Sequence, residues 1–123
     1  MKEINLKLPT GSVQKGQLYD EYDIDELDQD IIEIDLPSGD TIEAGWYPEY
    51  DKNGGFRITV FRQFWEKRRA GPFTVKSIRE LKRLLEGLAN YFVFLDQAEP
   101  VNGSGAESKI TPSQSLSTMQ QIA

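Results

Sequence analysis

Phe56-Arg57-Ile58-Thr59-Val60-Phe61-Arg62-Gln63-Phe64-Trp65 is the stretch whose reading decides the fold. Its period is two. Phe56, Ile58, Val60 and Phe64 fall on one side of an extended chain, and Arg57, Thr59, Phe61, Gln63 and Trp65 on the other. A strand of this kind hides its aliphatic side and leaves rings, hydroxyls and guanidinium groups outward.

Working back from it, Asp51-Lys52-Asn53-Gly54-Gly55 reads as a turn whose residues tolerate positive φ. Before the turn, Ile42, Ala44 and Trp46 alternate with polar residues and Pro48 closes the run. Pro37-Ser38-Gly39-Asp40 supplies another turn, and Ile32, Ile34 and Leu36 alternate with Glu33 and Asp35. Three antiparallel strands are therefore expected over 32–65. Ile4-Asn5-Leu6-Lys7-Leu8 adds a half-exposed strand at the start. Residues 13–30 show no clear period, and seven of the eleven residues from Asp20 to Asp30 are acidic, so this part reads as an acidic loop with one helical turn near Ile24 to Leu27.

Working forward, residues 66–72 form a basic loop and Phe73-Thr74-Val75 a short strand. The period then changes. Ser77 and Glu80 stand in the capping-box relation, and Ile78, Leu81, Leu84, Leu85, Leu88, Ala89, Phe92 and Leu95 recur every three or four residues, the apolar stripe of a helix. Val93 and Phe94 lie off that stripe, at a helix end that is either buried on several sides or a dimer contact. The fold class expected is α+β: an antiparallel sheet of four to five strands with one C-terminal amphipathic helix on one face. One domain is expected over 1–97, with its acidic loop at about 13–30, followed by a disordered Gly-, Ser- and Pro-containing tail at 98–123.

Composition narrows the function. The 123 residues include no cysteine and no histidine, which excludes disulfides, Cys/His zinc sites, cysteine nucleophiles and Ser-His-Asp triads. Asp23, Asp25 and Asp28 lack the central Gly and terminal Glu of a calcium-binding loop. Neither a cofactor nor a catalytic residue is indicated, and the expectation is a non-enzyme. There is no apolar run of membrane-spanning length and no signal-peptide pattern at the start, so a cytoplasmic protein without membrane association is expected.

The net charge of −6 is unevenly distributed. Residues 1–54 carry 14 acids and 4 bases, net −10, whereas residues 55–97 carry 4 acids and 9 bases, net +5. The basic half holds the first candidate site: Arg57, Phe61, Arg62, Trp65, Lys67, Arg68 and Arg69. Rings interleaved with cations suit base stacking combined with phosphate contact, as in single-strand binders. Arg79, Lys82 and Arg83 on the helix are candidates for the same basic patch. The competing reading is that the acidic segment or a second subunit covers these groups. The second candidate site is acidic: Asp23, Asp25 and Asp28, facing a basic protein partner as an immunity-type inhibitor or adaptor does.

Arg57-Ile58-Thr59-Val60-Phe61-Arg62 with Trp65, and Pro72-Phe73-Thr74-Val75 leading into Ser77-Ile78-Arg79-Glu80, resemble the single-stranded DNA-binding fold of the transcriptional positive cofactor four family over about residues 41–95. The family's Lys-Gly pair before the short strand is represented only by Gly71. The resemblance implies a homodimer whose curved sheets grip separated DNA strands.

Overall fold

A computed structural model describes residues 2–62 and 67–98. The central hairpins form where alternation and turn chemistry coincide. Strand β4 (Ile32–Asp35) pairs antiparallel with β5 (Asp40–Tyr47), β5 with β6 (Gly55–Arg62), and β6 with β7 (Lys67–Val75). A short strand β2 (Val13–Lys15) adds to the β4 edge, giving one antiparallel sheet of five strands in the order β2-β4-β5-β6-β7. Helix α1 (Ile78–Ala98) follows. The α+β architecture read from the sequence is thus the one observed.

The register puts Ile32, Ile34, Ile42, Ala44, Trp46, Phe56, Ile58 and Val60 together on one buried inner face. The helix covers that face with Leu81, Leu84, Leu85, Leu88, Ala89 and Phe92, all buried and all on the stripe visible in the sequence. At about 1.5–3 kcal/mol per large buried side chain, this layer is the main source of stability. Ser77 caps the helix by accepting the Glu80 N–H at 3.1 Å. The Glu80 carboxylate accepts from the Ser77 hydroxyl at 2.9 Å instead of reaching a backbone N–H, so half of the expected capping box forms.

The N-terminal third departs from the reading in detail. Only Glu3–Ile4 of the expected first strand is a strand, β1, and it pairs with β3 (Leu18–Tyr19) in a separate two-stranded sheet. Ile4, Leu6 and Leu8 pack against the core, and the Lys7 N–H donates to Glu86 on the helix at 2.7 Å, so this segment runs beside α1. A single 3-10 turn at Ile24–Glu26 matches the helical turn expected there.

The positive φ in the β5–β6 connection belongs to Tyr50 (φ 59°) and not to the glycines. Gly54 is required for another reason, because a Cβ there would meet the Tyr47 carbonyl and the Trp46 indole. The basic stretch read as a loop is the first part of β7, which begins at Lys67 and tolerates Pro72 because it is an edge strand with irregular register. The connection at 63–66, with Phe64 and Trp65, and the tail from 99 onward lie outside the described residues. Among the described residues no helix is long and apolar enough to cross a membrane.

Candidate binding face

Because the helix takes the inner face, the opposite face of the sheet is the place to look for function. Cross-strand partners fix what it carries. Thr41 sits beside Phe61 and Phe61 beside Arg68; Gly45 sits beside Arg57 and Arg57 beside Thr74. Arg57 and Arg68 are exposed and Phe61 is half-buried. The Arg57 guanidinium lies over the Tyr47 ring, 4.5 Å from its centre, a cation–π arrangement. Arg57 and Phe61 are four residues apart on one strand, roughly 13 Å at about 3.3 Å per residue.

The seven residues of the basic candidate site do not stay together. Arg57, Phe61 and Arg68 share the outer face, whereas Lys67 is exposed on the side of its partner Arg62. Arg62 and Arg69 turn to the inner side, where both donate to Oδ1 of Asp40, at 3.4 Å and 3.1 Å. Trp65 lies outside the described residues. The register shift between Val60 and Phe61 explains the split. Ala70 and Arg68 are the partners of these two consecutive residues, so Arg69 is the extra residue of a bulge, re-aimed toward the core. Arg79 and Arg83 are exposed on the helix, in the other layer, and Lys82 pairs with Glu86 at 2.9 Å. The helix cations therefore do not extend the Arg57–Arg68 surface.

The acidic segment packs at the far end of the sheet. Trp46 N–H donates to the Asp28 carbonyl at 2.7 Å, Tyr50 N–H to the Leu27 carbonyl at 2.9 Å, and Tyr22 stands edge-on to Phe56. The segment also packs on Ala44 and Gly45, the latter the partner of Arg57, so Arg57 borders it, whereas Phe61 and Arg68 neighbour Thr41 at the other end of β5. Asp23, Asp25 and Asp28 form no ion pair with a lysine or arginine among the described residues. Asp23 and Asp25 are exposed and flank Ile24, which is 44% exposed.

The β2–β4 half of the outer face is acidic. Lys15 reaches Glu33 and Asp35, each at 3.2 Å, and their carboxylates raise its pKa. Burial opposes ionisation of Asp35, but Lys15 and the Thr41 hydroxyl outweigh it and hold the carboxyl below its ordinary value. Glu43 faces Glu33 across the strands. Its carboxyl is pushed up, first by burial and then by the charges of Glu33 and Asp30. A cavity of about 280 Å³ opens here, lined among others by Lys15, Gln29, Asp30, Glu33 and Glu43. Sequence reasoning did not single out Glu33 or Glu43. Their only signal was two outward acids at matching positions of one hairpin. Among the described residues, no group of three or more Asp or Glu side chains is placed to hold a metal ion.

No family model, curated protein or solved structure matches this chain.

Proposed function

We propose that this chain is a non-enzymatic binding module whose outer sheet face takes single-stranded nucleic acid. The observation that carries the reading is the placement of Arg68 beside Phe61, away from the acidic segment, and of Arg57 stacked on Tyr47 at the border of that segment, all on the face that the helix does not cover. Tyr47 and Phe61 would stack on bases while Arg57 and Arg68 contact phosphates, without reading a sequence. Arg62 and Arg69, committed to Asp40, hold the end of the site in place. This is the chemistry that the resemblance to the positive cofactor four family implies, with fewer cations than the sequence alone offers. A homodimer and a cytoplasmic setting belong to the same reading.

Titration of a fluorescently labelled oligothymidylate at several salt concentrations tests it. Binding should weaken with salt, and Arg57→Ala with Arg68→Ala should weaken it at least tenfold and flatten the salt dependence by roughly one unit of slope per lost phosphate contact. Absence of binding at low salt, or equal binding by the double variant, removes the proposal.

A second reading, an acidic module that captures a basic protein, is favoured by Ile24 standing exposed between Asp23 and Asp25 in the 3-10 turn. An apolar anchor ringed by carboxylates suits a basic partner. Reversal of Asp23, Asp25 and Asp28 to lysine should abolish capture of that partner and leave oligonucleotide binding unreduced. Capture that survives the reversal excludes this surface.

A further inference from the structure

Three rows of paired residues cross the outer face. Val13, Asp35, Thr41, Phe61 and Arg68 form one, Lys15, Glu33, Glu43 and Thr59 the next, and Gly45, Arg57 and Thr74 the third. The sign of the charge changes across them. The carboxylates of Asp35, Glu33 and Glu43 stand on β4 and β5, the guanidinium groups of Arg57 and Arg68 on β6 and β7, and the boundary runs between β5 and β6. Lys15, on β2, is shared between Glu33 and Asp35 at 3.2 Å each, so with Glu43 the first half stays negative. Glu43 is the carboxylate at the boundary, because its partner Thr59 sits midway between Arg57 and Phe61 on β6. In the third row the Gln29 backbone stands over Gly45, where a Cβ would meet its carbonyl, so that row is closed on the β5 side by chain as the others are by charge.

Neighbouring strands are about 4.8 Å apart, and the cationic strip on β6 and β7 therefore has room for one phosphate backbone. A duplex brings two. Its backbones flank grooves about 6 and 12 Å wide, which sets the second backbone over β5 and β4 when the first follows β6 and β7. There its phosphates meet Glu43, Glu33 and Asp35. Displaced the other way, the second backbone passes off the β7 edge of the sheet and gains no contact. In either pose the bases are paired with each other, and Phe61 has no free base to stack on.

We propose that Glu43, Glu33 and Asp35 are specificity determinants of this surface: their negative charge admits one strand beside it and repels the second backbone of a duplex. The inference rests on the nucleic-acid reading of the Arg57–Arg68 surface and adds the means of discrimination, a repulsive element set next to the attractive one.

Titration of the full chain with fluorescently labelled oligothymidylate, and with the same strand annealed to oligoadenylate, tests it at one low salt concentration. The parent should bind the single strand at least tenfold tighter than the duplex. Glu33→Gln with Glu43→Gln should tighten duplex binding more than single-strand binding and narrow that ratio at least threefold. Glu3→Gln with Asp96→Asn removes the same charge at two exposed positions outside the five-stranded sheet and should leave the ratio unchanged. A single-strand preference that survives intact in the Glu33 and Glu43 variant overturns the inference and leaves the nucleic-acid reading standing. So does equal narrowing in the two variants, which would mean net charge alone, and so does a parent that binds both forms equally. No binding of oligothymidylate by the parent removes the nucleic-acid reading and the inference with it.

Discussion

Arg69 Nη1 donates to Oδ1 of Asp40 at 3.1 Å while its guanidinium carbon lies 5.2 Å from the centre of the Phe92 ring. One side chain thereby joins the start of β5, the bulge of β7 and the last turns of α1. Asp40 is 1% exposed and also accepts from Arg62 and from the Ser38 hydroxyl at 2.8 Å. Ionised, it has three donors around it, which is how a buried carboxylate is tolerated.

Asp40→Ala removes the shared acceptor and leaves two guanidinium groups without their partner. Both are partly exposed and can rehydrate in part, so the cost belongs at the low end for a broken buried pair, about 3 kcal/mol. Urea denaturation should show the midpoint falling by that free energy divided by the slope, with the slope itself unchanged. Arg62→Ala, which removes the more exposed and longer contact, should cost less than Arg69→Ala.

Alternation and helical periodicity made the core legible in advance, because Ile42, Ala44, Ile58, Val60 and the leucines of α1 each follow a single repeating rule. In the sequence Asp40 reads as a turn residue, because Pro37-Ser38-Gly39-Asp40 is a turn pattern and nothing local shows that a carboxylate there will point inward. The cations that neutralise it lie 22 and 29 residues away. The basic candidate site was half legible for the same reason. Strand parity placed Arg57 and Phe61 outward, but the bulge that re-aims Arg69 is a property of the β6–β7 pairing and not of the residues themselves. The path of residues 9–30 was illegible because β1, β2 and β3 are two or three residues long, too short for a period to register.

Gly45 and Gly87 should respond oppositely to alanine. At Gly45 the new methyl would meet the Gln29 backbone, which is pinned on both sides and cannot give, so Gly45→Ala should cost about 2–3 kcal/mol. At Gly87, inside α1, a Cβ has nothing within 4 Å, and Gly87→Ala should stabilise by about 0.8 kcal/mol through helix propensity. Thermal unfolding of the two variants beside the parent checks both signs. A neutral Gly45→Ala would mean that segment 28–31 moves freely.

Glu86 ties the N-terminal segment to the helix by accepting from the Lys7 N–H at 2.7 Å and from the Lys82 ammonium at 2.9 Å. Burial opposes its ionisation, but these donors outweigh it and its pKa is lowered. For a lowered acid, the stabilisation is present above the ordinary glutamate value and is lost as the pH falls through the folded value. Glu86→Ala should cost about 1 kcal/mol at neutral pH, with the difference from the parent closing in acid, and should speed amide exchange at Lys7. Unchanged exchange at Lys7 would show that Ile4, Leu6 and Leu8 alone hold the segment.

Glu43 should give the opposite pH dependence. Burial, Glu33 and Asp30 raise its pKa above the ordinary 4.5, so the folded chain binds this proton more tightly than the unfolded chain does. An acid raised on folding adds stability when protonated. That contribution is complete below the unfolded value and disappears as the pH rises through the folded one. Glu43→Gln mimics the protonated form. At neutral pH it should be more stable than the parent by a few tenths of a kcal/mol, the scale of a cross-strand charge pair, and the advantage should vanish as the pH falls below about 4.5. Denaturant titrations of both proteins from pH 4 to pH 7.5 measure the difference directly. An advantage independent of pH would locate the effect in packing instead of charge, and a loss of stability at neutral pH would mean that the ionised Glu43 already has a cationic partner in the folded chain.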